Sequence, residues 1–275
     1  MQSFQRGAIH WSPASGAHWS RGAIQGKWAS TNWEWGTYGY PITDELCRTG
    51  TSGGTLCTQD FQRGTIKWRS TDGIIDCRVQ RCVALTFDGG PSQYTGQFLD
   101  ALDARNVQAT FFVVGQYIDN APANVQRAAR NGNEVMNHSW DHPDLTTISY
   151  ADIVWQLDTT SDKIQATVGK RPDQMRPPFG AYNSTVTQAA GSQGLAVVYW
   201  SLDTIDWRDQ DAAIVRTRAA RATPGSIILM HDSMPTTLAA LPNIISDLKA
   251  KGYVLVPVGD LIGNPVPGRV YSRQP

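Results

Sequence analysis

The sequence predicts an α/β fold, a distorted (β/α) barrel of about seven strands, with a small β-rich segment ahead of it. Three observations carry this expectation. From Cys82 onward, apolar runs of strand length alternate with amphipathic stretches of helical period, the pattern of a parallel sheet covered by helices. Five polar clusters follow, each at the C-terminal end of its own predicted strand, where α/β folds place their sites. They are Phe87-Asp88-Gly89-Gly90-Pro91, His138-Ser-Trp-Asp-His142, Arg176-Pro-Pro-Phe-Gly180, Asp203-Thr-Ile-Asp206-Trp207 and Leu229-Met-His231-Asp232. Residues 1–76, by contrast, hold six of the ten tryptophans and many glycines, without any long helical period.

Composition narrows the classes. A chain of 275 residues, 41% apolar and 17% charged, holds a sizeable core. The formal net charge is zero, which gives no electrostatic support to a nucleic-acid partner or an anionic membrane surface. No apolar run is long enough to span a bilayer. Met1 is followed directly by polar sequence, which fits a mature form trimmed of its leader or a cytosolic protein. The cysteines bear on that choice. Cys47, Cys57, Cys77 and Cys82 lack CxxC spacing and are not interleaved with histidines, which argues against structural zinc. Of the three pairings that four cysteines allow, Cys47–Cys57 and Cys77–Cys82 close short loops and are preferred over free buried thiols. Disulfides place the protein outside the reducing cytosol, so the expectation is a secreted or cell-wall-associated protein.

Along the chain, Phe4-Gln-Arg-Gly-Ala-Ile-His-Trp11 recurs as Phe61-Gln-Arg-Gly-Thr-Ile-Lys-Trp68. Apolar residues alternating after a glycine read as hairpin strands in small stacked β-units. These two stretches, with Gly36-Thr-Tyr-Gly-Tyr-Pro41 ahead of Asp44-Glu45, resemble the LGFP repeats of cell-envelope proteins over little more than one repeat. The resemblance implies attachment to envelope polysaccharide through residues 1–76. A tryptophan-rich β-cap is the structural alternative. Beyond it, strands are predicted at 82–88, 109–115, 133–138, 174–178, 195–201, 226–231 and 253–258. Helices lie between them, among them 149–168 with Ser149 and Asp152 as a capping pair. The barrel is expected over 77–262, and residues 263–275, rich in proline and glycine, read as an extended tail.

The clusters suggest a chemistry. His138 and His142 are four apart, so a helical turn after the strand would put both on one face, suited to one metal ion of zinc type. Asp88 is the candidate general base, with Arg176 to orient it. His231, ending the apolar run Ile227–Met230, is the candidate general acid, with Asp206 holding its far ring nitrogen. Trp207 and Leu229 would form an apolar wall, and backbone N–H groups near Phe179 would receive an oxyanion. A metal, a base, an acid and an apolar pocket together describe water attacking a carbonyl, that is, metal-assisted deacylation.

In this order the five clusters resemble the polysaccharide deacetylases, the NodB-type esterases of carbohydrate esterase family 4, over residues 82 to about 262. The resemblance implies hydrolytic deacetylation of chitin, chito-oligosaccharide or peptidoglycan. It implies a divalent metal, zinc first and cobalt or another ion as alternatives. Position by position, it makes Asp88 the base, His138 and His142 metal ligands, and Arg176 the partner of the base. It assigns the Phe179 amide to the oxyanion, Asp206 to the tuning of His231, and Trp207 and Leu229 to the acetate pocket. One departure stands out. The family pattern Thr-Phe-Asp-Asp-Gly-Pro carries the third metal ligand at its second Asp, and here that position is Gly89. Glycine cannot bind a metal, so Gly89 reads as an inactivating substitution, introduced or natural, in an otherwise intact site. A glycan-binding protein that reuses the cleft, an O-acetyl-xylan esterase, and an Asp88 that turns to the metal are the alternatives.

Overall fold

The computed structural model describes residues 2–5, 7–50 and 53–275. The chain divides into two compact units between Gln80 and Arg81, with Ala104–Asn106 grouped with the first.

The first unit holds two small antiparallel sheets. One is formed by β1 (Gln2–Phe4), β2 (Gly7–Ser12) and β3 (Gly16–Ser20). Helix α1 (Gly22–Ser30) follows, and then β4 (Leu46–Thr49), β5 (Thr55–Phe61), β6 (Gly64–Arg69) and β7 (Gly73–Ile75) make the second sheet. Ile24 and Trp28 of α1 are buried with Cys57, Phe61 and Ile66, and the Trp28 indole N–H donates to the Gly39 carbonyl at 3.0 Å. The internal repeat is a hairpin: in each copy the phenylalanine pairs with the glycine three positions on, Phe4 with Gly7 and Phe61 with Gly64. The buried face is not repeated. Ile66 of the second copy is buried, whereas Ile9 and Trp11 of the first are exposed and His10 between them is buried. Cys47 and Cys57 face each other across β4 and β5 and are disulfide-bonded. Cys77 and Cys82 are oxidised as well, and among the described residues no cysteine is free.

The second unit is a curled parallel sheet with helices against it. In chain order it runs β8 (Cys82–Gly90), α2 (Thr95–Asp103), β9 (Thr110–Val113), α3 (Pro122–Arg130), β10 (Glu134–Asn137), α4 (Tyr150–Val168), β11 (Gln174–Met175), α5 (Ser184–Ser192) and β12 (Ala196–Val198). It continues with β13 (Leu202–Asp203), α6 (Asp206–Asp209), α7 (Ala212–Ala219), β14 (Ile227–His231), α8 (Pro235–Ala250), β15 (Val254–Val256), α9 (Val258–Ile262) and β16 (Val270–Tyr271). The strand order is β13-β14-β8-β9-β10-β11-β12-β16, with β15 pairing β8 beside that path. Each of the seven predicted strands has its counterpart. Two short strands, β13 and β16, were not expected, and β16 lies in the segment read as a tail, parallel to β12.

Strand β8 shows how the fold presents a site. It is buried on both faces, as strands of a covered parallel sheet are. Its period of two sends Val83, Leu85 and Phe87 into the main core with Phe98, Leu99 and Leu102 of α2. Thr86 and Asp88 therefore point to the opposite, inner face. Strand β14 repeats the arrangement: Ile228 and Met230 join the same core, and Leu229 and His231 face inward. Helix α4 starts as predicted. Ser149 Oγ accepts from the Asp152 N–H at 3.2 Å and donates to the Asp152 carboxylate at 2.7 Å.

Candidate active site

Asp88 sits at the end of β8, where the chain turns through Gly89 (φ +84°) and the cis Gly90–Pro91 bond. It is buried. Its carboxylate accepts a hydrogen bond at 2.8 Å from Arg176 Nη1 and lies 4.0 Å from His138 Nε2. Arg176 is fully buried and held from several sides. Nη1 also donates to Thr86 Oγ1 at 2.7 Å, Nε to the Val198 carbonyl at 3.2 Å and Nη2 to the Tyr199 carbonyl at 3.1 Å. Its guanidinium stacks over Phe112 at 4.3 Å and Trp200 at 5.7 Å. Burial pulls the Arg176 pKa down and Asp88 opposes it; a guanidinium nonetheless stays charged. An ion pair buried this deeply is tolerable only because nearly every donor finds an acceptor.

The two histidines come together, but not by the helical turn that their spacing suggested. Residues 138–142 form an irregular turn with Ser139 at φ +63° and His142 at φ +66°. Side chains close it in place of i→i+4 bonds: Ser139 N–H donates to Asn137 Oδ1 at 2.8 Å, Trp140 N–H to Gln156 Oε1 at 2.7 Å and His142 N–H to Ser139 Oγ at 3.2 Å. The imidazoles end 4.9 Å apart. His138 Nδ1 donates to the Arg176 carbonyl at 2.7 Å, which leaves Nε2 as the unprotonated nitrogen facing Asp88. Burial drives the His138 pKa down to about 4, against the pull of Asp88, and burial also lowers that of His142. Both rings are neutral near pH 7, the form that binds a metal.

His231 ends β14, beside Asp88 in the sheet register. Asp206 Oδ1 lies 2.8 Å from its Nδ1 and Oδ2 accepts its backbone N–H at 2.8 Å. Thr237 Oγ1 and the Trp207 N–H also donate to the Asp206 carboxylate, at 2.6 and 2.9 Å. Burial draws the His231 pKa down, but the hydrogen bond and charge of Asp206 outweigh it and the net shift is upward. Leu229 is 4% exposed on the same inward face, and Trp207 is 52% exposed. Phe179 occupies a left-handed turn (φ 61°, ψ 3°). It is 71% exposed, and its ring meets that of His142 edge-on at 4.7 Å.

The residues present do not complete a metal site. Among the described residues outside its two chain neighbours, no heavy atom lies within 4 Å of a Cβ built on Gly89. Among the described residues, the one set of three His, Cys, Asp or Glu groups whose ligand atoms lie mutually within 4.8 Å is Glu45, Cys47 and Cys57, and there both sulfurs are in a disulfide. Asp88, committed to Arg176, does not join His138 and His142 in such a set.

Sequence reasoning missed several supporting residues. Thr86 was accessible to it, since it stands two positions before Asp88 on a strand and must share its face. Thr237, Trp200 and Phe112 carried no local signal, because they reach the site from elements distant in sequence.

A profile described as polysaccharide deacetylase matches residues 76–198. The chitooligosaccharide deacetylase of a Bradyrhizobium species is 35% identical over 203 residues, covering 68% of this chain and 93% of that protein. The chain belongs to the polysaccharide deacetylase family. The peptidoglycan-N-acetylglucosamine deacetylase PgdA of Listeria monocytogenes is 42% identical over 188 residues, or 68% of this chain. The match spans only 40% of that relative's length. Among solved structures, a T48 deacetylase with substrate superposes with a TM-score of 0.69 at 35% identity, over 72% of this chain and 99% of that one. A family 4 carbohydrate esterase pseudoenzyme from Bacillus anthracis superposes with a TM-score of 0.63 at 30% identity, over 66% of each chain. A variant of it is described as having restored enzymatic activity. Members of the family generally depend on a metal. The LGFP profile matches two spans, 1–36 and 39–78, so the resemblance extends over two repeats and not the little more than one first read.

Proposed function

We propose that this chain binds N-acetylated glycan, chitin-type or peptidoglycan, in a deacetylase cleft whose proton-transfer apparatus is intact and whose metal site lacks its acidic ligand. The observation that supports this most directly is the pair of carboxylate-supported groups at the ends of neighbouring strands. Asp88, fixed by Arg176, is placed to take a proton from water attacking the acetyl carbonyl. His231, with Asp206 behind it, is placed to give one to the departing amine. The Phe179 N–H serves the developing oxyanion, and Leu229 and Trp207 take the methyl group. His138 and His142 are the two ligands of this lineage that remain. Two neutral imidazoles without a carboxylate hold a divalent ion weakly, since even the loss of outer-shell partners costs roughly 10–100-fold.

A second reading, a glycan-binding member without hydrolytic activity, is favoured by Gly89 itself and by the existence of a pseudoenzyme among similar structures. Two LGFP matches, and the exposed Phe4, Ile9 and Trp11 of the first sheet, support a location outside the cytoplasm at cell-wall glycan. No helix among the described residues is long and apolar enough to cross a membrane.

Acetate release from chitin oligomers and from peptidoglycan, with zinc supplied, tests the proposal on this chain and on Gly89→Asp. The expected outcome is background release by the chain and a gain of about 10²-fold or more in the variant. Equal activity in both would mean that the missing carboxylate is dispensable. No activity in either, with glycan binding retained, would leave the binding-protein reading.

A further inference from the structure

Asp206 holds His231 only while the turn that carries it stays closed, and the backbone of that turn is strained. It runs between two left-handed residues, Ile205 (φ 52°, ψ 35°) and Gln210 (φ 45°, ψ 41°). Isoleucine is branched at Cβ and rarely adopts that conformation, so its surroundings must impose it. The Asp203 carboxylate accepts the Ile205 N–H at 2.7 Å. Thr204, fully buried, donates to the Leu229 carbonyl of β14 through its hydroxyl at 2.8 Å and its N–H at 3.3 Å. Arg218 of α7 donates through Nη1 to the Thr204 carbonyl at 2.8 Å. Through Nη2 the same guanidinium pairs with the carboxylate of Asp209, the last residue of α6. Arg218 thus joins the two ends of the turn, with Asp206 between them. Arg208 and Arg218 hold the Asp209 carboxyl down to about 2, so this brace stays closed throughout the range in which His231 titrates.

We propose that Arg218 is a positioning residue for proton transfer by His231, acting through the 204–209 turn to hold the Asp206 carboxylate against the imidazole. The proposal rests on the reading of His231 as the acid. Positioning and a direct charge effect have opposite signs here. Burial lowers the His231 pKa, and Asp206 first, then Asp88 and Asp203, raise it. His142 and Asp232 also feel its charge. The positive charge of Arg218 could only disfavour an imidazolium, so losing that charge alone would raise the His231 pKa. Losing the brace loosens Asp206 and lowers it.

Titration of the whole chain, followed by the proton resonances of the imidazole carbons, separates the two. His231→Gln identifies the signal of His231 among the five histidines. In Arg218→Met the His231 midpoint is expected to fall by roughly 0.5–1 pH unit. Arg218→Lys keeps the charge without the planar fork and should fall by about half as much. In an Asp206→Asn background, Arg218→Met should lower the midpoint no further, because the two residues act as one unit. Thermal unfolding checks that each variant is folded, and Arg218→Lys carries the test if Arg218→Met is not. An unchanged or raised midpoint in the folded variant overturns the proposal. So does an equal fall with and without the Asp206 carboxylate, which would place the effect elsewhere. If Asp206→Asn by itself leaves the midpoint in place, the pairing of Asp206 with His231 fails, and the role of Arg218 fails with it.

Discussion

At Gly89 the backbone stands at φ +84°, in the left-handed region that costs an ordinary L-residue about 1–2 kcal/mol and aspartate somewhat less. The space around its Cβ position is open, so Gly89→Asp meets backbone strain and no collision at that first side-chain atom. Without metal the variant is expected to melt a few degrees below the parent chain, at roughly 2–4 °C per kcal/mol for a unit of this size. Added zinc should raise the melting temperature of the variant and leave the parent nearly unmoved, because only a ligand bound to the folded state stabilises it. A zinc response of equal size in both would contradict the incomplete donor set. Asp232, beside His231, makes a different prediction. Its carboxyl accepts from Thr95 Oγ1 and packs on Gly90, and one of its oxygens has no hydrogen-bond partner. Burial pushes its pKa from the ordinary 3.8 up to about 6. Between those values the folded state binds more protons than the unfolded one. Stability therefore falls as pH rises from about 4 to about 6 and is flat above, a loss on the order of 3 kcal/mol. Asp232→Asn removes that slope. The melting temperature of the variant relative to the parent should thus climb across this window, and a constant difference from pH 4 to pH 8 would refute the assignment.

At the scale of elements, local hydrogen bonding separates what could be read ahead from what could not. Helix α4 begins at Ser149 because the serine hydroxyl and the Asp152 carboxylate satisfy each other and a free N–H, a pattern complete within four residues. Ser149→Ala is expected to cost about 1 kcal/mol, visible as a lower urea midpoint with unchanged slope, while Ser149→Asp should retain most of the stability. The turn after β10 was misread for the complementary reason. The spacing of His138 and His142 favours a helical turn, but Gln156 of α4 accepts the Trp140 N–H and Ser139 accepts that of His142. Those bonds replace the helical ones, and Gln156 lies on another element that no local pattern of the turn includes.

At the scale of the whole molecule, the sheet decides which residues meet. Strand β16 pairs Val270 and Tyr271 with Val197 and Val198 of β12, and the Tyr199 N–H donates to the Tyr271 carbonyl at 2.7 Å. Tyr199 in turn receives Arg176 through its own carbonyl. Shortening the chain to end at residue 262 would uncover the β12 edge and expose apolar surface next to the support of Arg176. Burial of one large side chain is worth about 1.5–3 kcal/mol, so the shortened chain should melt roughly 3–12 °C lower. An unchanged melting temperature would favour the reading of residues 263–275 as a tail.

What the sequence by itself determined is everything carried by short-range pattern. The seven strand runs, the cap of α4, the hairpin repeat, and the placement of Asp88, His138, Arg176, Asp206 and His231 at strand ends all follow from period, turn chemistry and residue type within a few positions. That Gly89 carries no donor side chain was equally legible, because a missing side chain is a fact of composition. What only the tertiary structure decided are the contacts between distant positions. Arg176 reaches Asp88 across a sequence separation of 88, through the register of β8, β9, β10 and β11. Thr237 reaches Asp206 from a helix, and no side chain fills the space beside Gly89. Each depends on strand pairing and side-chain packing summed over the whole sheet. No window of sequence contains those terms.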